Sequence, residues 1–199
     1  MRATTPLLLY HNHHFSDRLL VKAIPFFIIP TPSTGTTTPP PPSSPPSSDP
    51  RDKNGYPIFK EYESKIPYVA KIDYDAIEVH EKPSVLTKTA KNESAQHKAS
   101  GCLIKPEGVR NYEPRYKNST EKADRGPHAG ELLVSCEEYP FAKSDQGGAG
   151  AYIGPVPQGE NNDQGGFFSG FTRRNHLKVG DKYAVQVILD VSCGESKVD

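Results

Sequence analysis

Between Pro30 and Pro50 the chain consists almost entirely of proline, serine and threonine. Such a composition cannot bury enough apolar surface to form a core, and its prolines favour extended polyproline II conformations. The stretch therefore predicts a disordered linker over residues 31–51. It leaves residues 52–199 as the segment expected to build the folded domain.

The segment before the linker, residues 1–30, resembles an export signal only in part. Its apolar run Leu7–Tyr10 is too short for the hydrophobic region of a signal peptide, and Lys22 and Pro25 interrupt the later apolar residues. No segment approaches the roughly 20 consecutive apolar residues that a membrane span requires. We therefore expect an atypical leader or signal-like segment, a secreted protein and no membrane span.

Apolar spacing predicts the first elements of the domain. Apolar residues from Val69 to Ile77 recur at helical spacing, and Pro83 should end that helix. Residues 88–100 are polar and predict a loop. Cys102–Ile104 then predicts a short strand that stops before a proline.

Two strands and a helix are predicted in the second half of the domain. The continuous apolar run Leu132–Val134 predicts a buried strand, and Tyr183–Leu189 is the clearest strand in the chain. We expect these two strands to pair. A phenylalanine-rich helix opening at Gln164 and running to Leu177 should cover one face. The prediction is a small compact α+β domain with a short antiparallel sheet and packed helices.

One region carries the candidate chemistry. Glu137 and Glu138 are adjacent acids, expected at the end of the first of these strands, where successive side chains point to opposite faces. We therefore expect one to face a site and the other to anchor the polar groups around it. The blocks that follow one another are Cys136–Ala142, Gln146–Ala151, Val156–Pro157, Glu160–Asn161 and Gln164–Gly166. Their glycines allow a second acid and an amide to return to the same point, a layout for a divalent-metal site acting on phosphate.

This order of blocks resembles the NucA/NucB deoxyribonuclease family over Leu132–Val187, with the best match placed at residues 132–191. Ile66–Ile77 and Cys102–Ile104 are similar to the family more loosely. The resemblance implies a small, mostly extracellular nuclease that uses Mg²⁺ or Mn²⁺ and cuts DNA with little sequence preference. It also implies an active site similar to a reduced version of the ββα-metal nuclease site. An inhibitor protein is a candidate partner by the same resemblance. We expect a monomer.

The resemblance places Glu137 where the family usually has aspartate, the acid credited with the catalytic role of general base. The extra methylene displaces a carboxylate by about an ångström, which costs about a hundredfold in rate when geometry is tight. Bacterial members carry another essential acid on the helix after the glycine loop, whereas Phe171–His176 contains no carboxylate. Glu160, with Asn161 beside it, is the expected substitute, folding back to Glu138 to hold the metal. Capping a helix or turn is the alternative role for Glu160.

The remaining predicted site residues lie near the end of the phenylalanine-rich helix. Arg173 and Arg174 are expected to bind substrate phosphate together with Gln164. His176 is expected to donate a proton to the leaving oxygen. In the alternative interpretation, the arginines and the histidine form the solvated face of an amphipathic helix.

The charge of the chain does not indicate a nucleic-acid partner by itself. Lys and Arg together number 24, as do Asp and Glu, so no net positive field surrounds the whole protein. Basic residues are common over residues 51–131, and acids over residues 132–199. An acidic metal site beside a basic segment suits a nuclease, although a solvated surface of mixed charge produces the same pattern.

Three cysteines, Cys102, Cys136 and Cys193, occur without CxxC spacing. This spacing indicates neither a zinc ribbon nor a redox dithiol. One disulfide and one remaining thiol is the simplest arrangement for a secreted protein. The pairs to consider are Cys136 with Cys193 and Cys136 with Cys102.

The motifs of other enzyme classes are absent, because the chain has no GxSxG and no HExxH. Adjacent acids such as Glu137 and Glu138 also cannot lie on opposite sides of a sugar bond, as a glycosidase requires.

Two hypotheses remain. The first is a secreted metal-dependent endonuclease with catalytic Glu137, Glu138 and His176. In it, Glu138, Glu160 and Asn161 hold the metal. The second is a non-catalytic descendant that keeps the scaffold as an extracellular binding module.

Overall fold

A computed structural model describes residues 49–190, which lie within the compact unit Ser44–Asp199. The predicted leader, residues 31–48 of the predicted linker and Cys193 lie outside the described residues. No helix within residues 49–190 combines the length and the apolarity that crossing a membrane demands.

Three helices and seven short strands make up the described part of the chain, which confirms the α+β class. In chain order they are β1 (Ile58–Tyr62), α1 (Pro67–Glu78), β2 (Val85–Thr87), α2 (Glu93–Ser100), β3 (Leu103–Ile104), β4 (Glu113–Pro114), β5 (Ser135–Tyr139), β6 (Tyr152–Val156), α3 (Gln158–Arg174) and β7 (Lys182–Ile188). β3 confirms the short strand predicted after residue 101.

The main sheet has the strand order β1-β7-β2 and is mixed rather than antiparallel. The central strand β7 runs parallel to β1 and antiparallel to β2. The predicted pairing of Tyr183–Leu189 with Leu132–Val134 is therefore wrong. β7 is predicted correctly as a strand, but its neighbours in the sheet are β1 and β2.

The strand that carries the two adjacent acids begins later than expected. Leu132 is 41% exposed, and the strand β5 starts at Ser135 and pairs antiparallel with β6. Glu137 and Glu138 thus lie inside a strand, opposite Gly154 and Ile153, and not at its end. The pairing with β6 continues before and after the two acids along β5. It therefore fixes the directions of their side chains more firmly than a strand end would.

Helix α1 is formed as the apolar spacing predicts. Pro67 occupies its first turn, and Val69, Ala70, Asp73 and Ala76 form its buried face. The helix ends at Glu78, ahead of the predicted stop. Asp73 is the one charged side chain on that buried face, and it is fully buried.

Helix α2 occupies part of the segment predicted as a loop, so that prediction is wrong for Glu93–Ser100. The Asn92 side chain accepts the Ala95 backbone N–H at 3.0 Å, and Gly101 ends the helix with a φ of +91°. These are the usual signals of a helix start and a helix end. The helix buries no residue, and apolar periodicity therefore could not identify it.

Helix α3 begins at Gln158, not at Gln164, and ends at Arg174. Glu160, Asn161 and Gln164 consequently share one helix. The expectation that this helix carries no carboxylate is wrong, because Glu160 lies in its first turn. β5, β6 and α3 follow one another directly, as an antiparallel pair of strands and then a helix.

Aromatic side chains join α3 to the main sheet, as the phenylalanine-rich helix was expected to do. The Phe59 ring on β1 lies 5.2 Å from that of Phe168 and 5.3 Å from that of Phe171. Phe168 also lies 5.3 Å from Tyr183 on β7. Phe141, which follows β5, packs 5.7 Å from Phe168, so the core connects β5, α3 and the main sheet.

Two glycine substitutions are expected to change stability in opposite directions. A Cβ at Gly147 would overlap the carbonyl oxygen of Phe141, and forcing an atom into a packed backbone costs about 1–3 kcal/mol. A Cβ at Gly166 meets no atom within 4 Å, and alanine is preferred to glycine in a helix by about 0.8–1 kcal/mol. Urea denaturation should therefore show Gly147→Ala lowering the free energy of unfolding and Gly166→Ala raising it. If both substitutions changed the free energy of unfolding by the same amount and in the same direction, this account of the two positions would be wrong.

Candidate active site

Three buried acids from different elements meet at one amide. Gln164 Nε2 lies 2.8 Å from Glu61 Oε1, 3.1 Å from Asp73 Oδ2 and 3.2 Å from Glu137 Oε1. Glu61 comes from β1, Asp73 from α1 and Glu137 from β5. We call Glu61, Asp73 and Glu137 the buried acid cluster. Gln164, predicted to bind substrate, is itself buried and is directed at these acids.

The buried acid cluster retains protons more strongly than exposed carboxyl groups do. Burial raises the pKa of Glu61, and burial together with the neighbouring Glu61 charge raises the pKa of Asp73 and of Glu137 well above the usual range. Glu61 and Asp73 are close enough for each to affect the pKa of the other. The Gln164 amide opposes the shifts by donating hydrogen bonds, but its two N–H groups cannot fully satisfy three acceptors.

Glu138 has partners that differ from those of Glu137, as the alternation of strand side chains predicts. Its Oε1 lies 2.7 Å from His97 Nδ1 on α2. Both of its oxygens are buried and neither makes a hydrogen bond within the described residues, so the contact with His97 is a contact between charged groups. Buried carboxylate oxygens without a donor are costly, and Glu61 Oε2, Asp73 Oδ1 and Glu160 Oε1 are also without one.

His97 was not among the predicted site residues. Its ring lies between Glu138 and Glu93, with Nε2 at 3.7 Å from Glu93 Oε1. The close contact with Glu138 is the main cause that raises the pKa of His97, while partial burial opposes it. This contact favours the protonated form of the imidazole.

Covalent and polar contacts fix α2 against β5. A disulfide joins Cys102, just after α2, to Cys136, directly before Glu137. Gln96 Nε2 on α2 donates to Gly147 O at 2.9 Å. Of the two cysteine pairs left open by the sequence, the structure forms Cys102–Cys136. The bond places His97 and the two adjacent acids in one rigid unit.

A pocket of about 100 Å³ opens at this unit. Three phenylalanine rings form part of its wall, and its polar and charged lining residues are Glu93, His97, Glu137, Glu138, Lys143, Asn161 and Gln164. Asn161 Nδ2 donates to Cys136 O at 3.1 Å and lies 3.5 Å from Glu137 Oε2. Asn161 thus contacts the strand that carries the acids, as part of the lining and beside Glu137.

Glu160 is directed elsewhere. Its Oε2 accepts the backbone N–H groups of Tyr68 at 2.8 Å and Val69 at 3.1 Å, in the first turn of α1. It does not belong to the pocket lining that includes Glu138. Unpaired N–H groups at a helix start attract a carboxylate. Glu160 therefore caps α1, which is the alternative role that the sequence analysis gave for it.

Arg173, Arg174 and His176 lie at the far end of α3. At 1.5 Å per residue, the two arginines are roughly 14–15 Å along the axis from Gln164. His176 follows the end of the helix, and none of the three lines the pocket. Arg174 Nε lies 3.2 Å from Asp49 Oδ2. His176 is exposed, in the left-handed region with a φ of +50°. The structure does not bring these predicted residues together with Glu137 and Glu138.

The donor set fits one kind of metal site. Within residues 49–190 there is no group of three or more His, Cys, Asp or Glu side chains arranged to hold a metal ion. Mg²⁺, however, is commonly bound by one or two carboxylates, with water and substrate phosphate as the other ligands. The unpartnered Oε2 of Glu138, in a pocket shared with Glu137, fits such a cation.

Signals for the missed acids were present in the sequence. Glu61 shares the face of β1 with Phe59, two residues away, and Asp73 shares the apolar face of α1 with Val69 and Ala76. A charged residue at a core position of a strand or helix indicates a buried polar network. His97 had no comparable signal, because its helix is polar throughout.

Comparison with known proteins adds one finding. A family model described as deoxyribonuclease NucA/NucB matches residues 74–186, more than half of the chain. The matched segment includes the pocket residues His97, Glu137, Glu138 and Gln164. No curated protein matches the chain.

Proposed function

The chain belongs to the deoxyribonuclease NucA/NucB family, and from this membership we propose that it is a divalent-metal-dependent endonuclease that hydrolyses DNA phosphodiester bonds with little sequence specificity. The observation that supports a catalytic site most directly is the buried, unpartnered Oε2 of Glu138 in a pocket shared with Glu137 and His97. Four acids within residues 49–190 have a buried oxygen without a donor, and of these four only Glu138 lines the pocket.

Glu138 is the residue proposed to hold the cation, Mg²⁺ or Mn²⁺. When bound, the cation supplies positive charge that offsets the negative charge developing on the phosphoryl oxygens. His97 Nδ1 lies 2.7 Å from Glu138 Oε1, and both residues line the pocket, so His97 is the residue proposed to orient this carboxylate. The disulfide next to each of them keeps this geometry without a further conformational change.

Glu137 is the proposed general base and takes the proton from the attacking water. The amides of Gln164 and Asn161 hold its carboxylate in place. The order β5-β6-α3 supports a ββα-like arrangement of the site, with an acid on the first strand and amides on the helix.

His97 takes the role that the sequence indicated for His176. It lines the pocket and is about one-third exposed, so a phosphate in the pocket can reach its ring. A cationic imidazole there stabilises phosphate charge and supplies a proton to the leaving oxygen. His176, at the far end of α3, cannot reach the same substrate atom.

We also propose that the protein is secreted. The Cys102–Cys136 disulfide supports this proposal, because disulfides persist in oxidising compartments and are rare in the cytosol. An oxidising compartment would also preserve the attachment of α2 to β5, on which the site depends.

Plasmid cleavage tests the proposed function. The purified full-length chain is expected to nick and then linearise supercoiled plasmid in the presence of Mn²⁺ or Mg²⁺, and EDTA should stop the reaction. Circular dichroism establishes that the sample is folded. A folded protein that cuts no DNA with either metal would reject the proposal and favour a non-catalytic binding module.

A further inference from the structure

A second concave surface lies between β1 and the second half of α3. It is a groove of about 390 Å³. Its side walls come from alternate residues of β1 and from residues one helical turn apart on α3. These residues are Ile58, Lys60, Tyr62, Phe167, Phe171 and Arg174. We call this surface the β1–α3 groove.

The β1–α3 groove adjoins the catalytic pocket. Phe59 lines both the catalytic pocket and the β1–α3 groove, so its ring lies between the two. On α3, the pocket uses Gln164 and Phe168, and the groove uses Phe167 and Phe171. At 100° per residue, these two sets lie on adjacent faces of the helix. A polymer that leaves the pocket along α3 therefore enters the groove.

Two aromatic side chains in the groove are exposed although the domain has a large aromatic core. Tyr62 is 45% exposed and Phe167 is 44% exposed. They stand on opposite walls, one on β1 and one on α3. Neither ring takes part in an aromatic pair within the described part of the chain, where Phe168 and Phe171 already fill the interior. Such rings are available to stack on a flat ligand.

The groove also has an excess of positive charge. Lys60, Lys65 and Arg174 contribute cations, against the single acid Asp49, which pairs with Arg174. Lys60 and Lys65 form no ion pair with another described residue. The combination of exposed rings and lysines in a groove is the combination that binds a nucleic-acid strand, since bases stack on the rings and phosphates contact the cations.

We propose that the β1–α3 groove is a subsite for single-stranded DNA, which holds the strand that continues from the catalytic pocket. The proposal rests on the proposed nuclease function. Tyr62 and Phe167 stack on unpaired bases, and Lys60 and Lys65 contact the phosphates between them. Paired bases are enclosed in a duplex and cannot stack on side chains, so the groove selects single strands or locally opened duplex.

Binding of a short fluorescein-labelled oligothymidylate to the full-length chain, measured by fluorescence anisotropy in EDTA, tests the subsite without cleavage. Base–aromatic stacking is worth about 1–3 kcal/mol per base. Tyr62→Ala and Phe167→Ala should each raise Kd by about tenfold, and together by about a hundredfold. Tyr112→Ala is the matched control, because Tyr112 is 43% exposed and lies outside the groove. It should leave Kd unchanged.

A second pair of variants tests the lysines. Each phosphate contact on a single strand contributes about 0.7 to the slope of log K against log salt. Lys60→Ala combined with Lys65→Ala should lower that slope by about 1.4, whereas the two aromatic variants should leave it unchanged. Unaltered salt dependence in the lysine variant overturns the proposed phosphate contacts.

The outcomes separate this proposal from the proposed function. A wild-type protein that cuts no plasmid rejects the function. A wild-type protein that cuts plasmid, but binds the oligonucleotide equally well after both aromatic substitutions, rejects the subsite alone and assigns the groove to a protein partner. If the alanine variants lose their fold, Phe167→Trp replaces them. It retains a ring and should bind at least as tightly as wild type, and a tenfold loss would contradict stacking.

Discussion

Glu138→Gln is expected to lower the rate of metal-dependent DNA cleavage by on the order of a thousandfold. A bound cation supplies several kcal/mol of charge stabilisation, and each 1.36 kcal/mol corresponds to a tenfold change in rate. Glutamine has nearly the same shape as glutamate, and its amide oxygen can still accept from His97 Nδ1, which lies 2.7 Å from Oε1 in the native protein. The loss should therefore reflect the missing negative charge rather than a change of fold.

Two measurements identify the cause of this loss. Isothermal titration with Mn²⁺ should show weakened metal binding in Glu138→Gln, and circular dichroism should show that the fold is retained. Glu107→Gln changes an exposed carboxylate and serves as the control. It should alter neither cleavage nor metal binding. Normal cleavage by Glu138→Gln would exclude Glu138 as the metal ligand.

Removing the disulfide is expected to produce the largest loss of stability. The bond joins cysteines 34 residues apart, and closing a loop of this length restricts the unfolded chain by about 4 kcal/mol in the chain-entropy model. For a domain of this size, such a loss lowers Tm by roughly 10 °C. Cys102→Ser and Cys136→Ser should therefore each shift thermal unfolding by that amount.

The same substitutions should reduce activity below the new Tm, because the bond attaches the helix of His97 to the strand of Glu138. Cys193→Ser is the comparison, since it leaves both bonded cysteines unchanged. If Cys193→Ser lowered Tm as much as Cys102→Ser, the pairing in solution would differ from Cys102–Cys136. A reductant should lower the Tm of the wild-type protein and have no effect on the Cys102→Ser variant.

The sequence predicted the acids of the site better than it predicted their surroundings. Glu137 and Glu138 stand in a contiguous block whose residue types indicate their chemistry without knowledge of the fold. The amide Gln164 was also identified, although its observed contacts are with acids. His97, by contrast, reaches Glu138 through a helix that is defined by caps and buries no residue, so no apolar pattern marked it.

Pairing between distant strands was the main error in the predicted fold. β1 and β7 are adjacent in the sheet but are separated by most of the domain in sequence. Local propensity identifies a strand, whereas its neighbours depend on how all elements pack together. The same limitation applies to Glu160, whose partners are the backbone N–H groups of Tyr68 and Val69. Nothing within a few residues of Glu160 indicates that α1 begins beside it.

The position of β7 in the middle of the main sheet has a consequence for biosynthesis. A ribosome produces β1 and β2 first, and the strand that must stand between them emerges only after α3. Until then, β1 has no neighbour in this sheet, and Glu61 on β1 has no fixed place beside Gln164. The proposed nuclease site is therefore completed only when translation of the domain is almost finished.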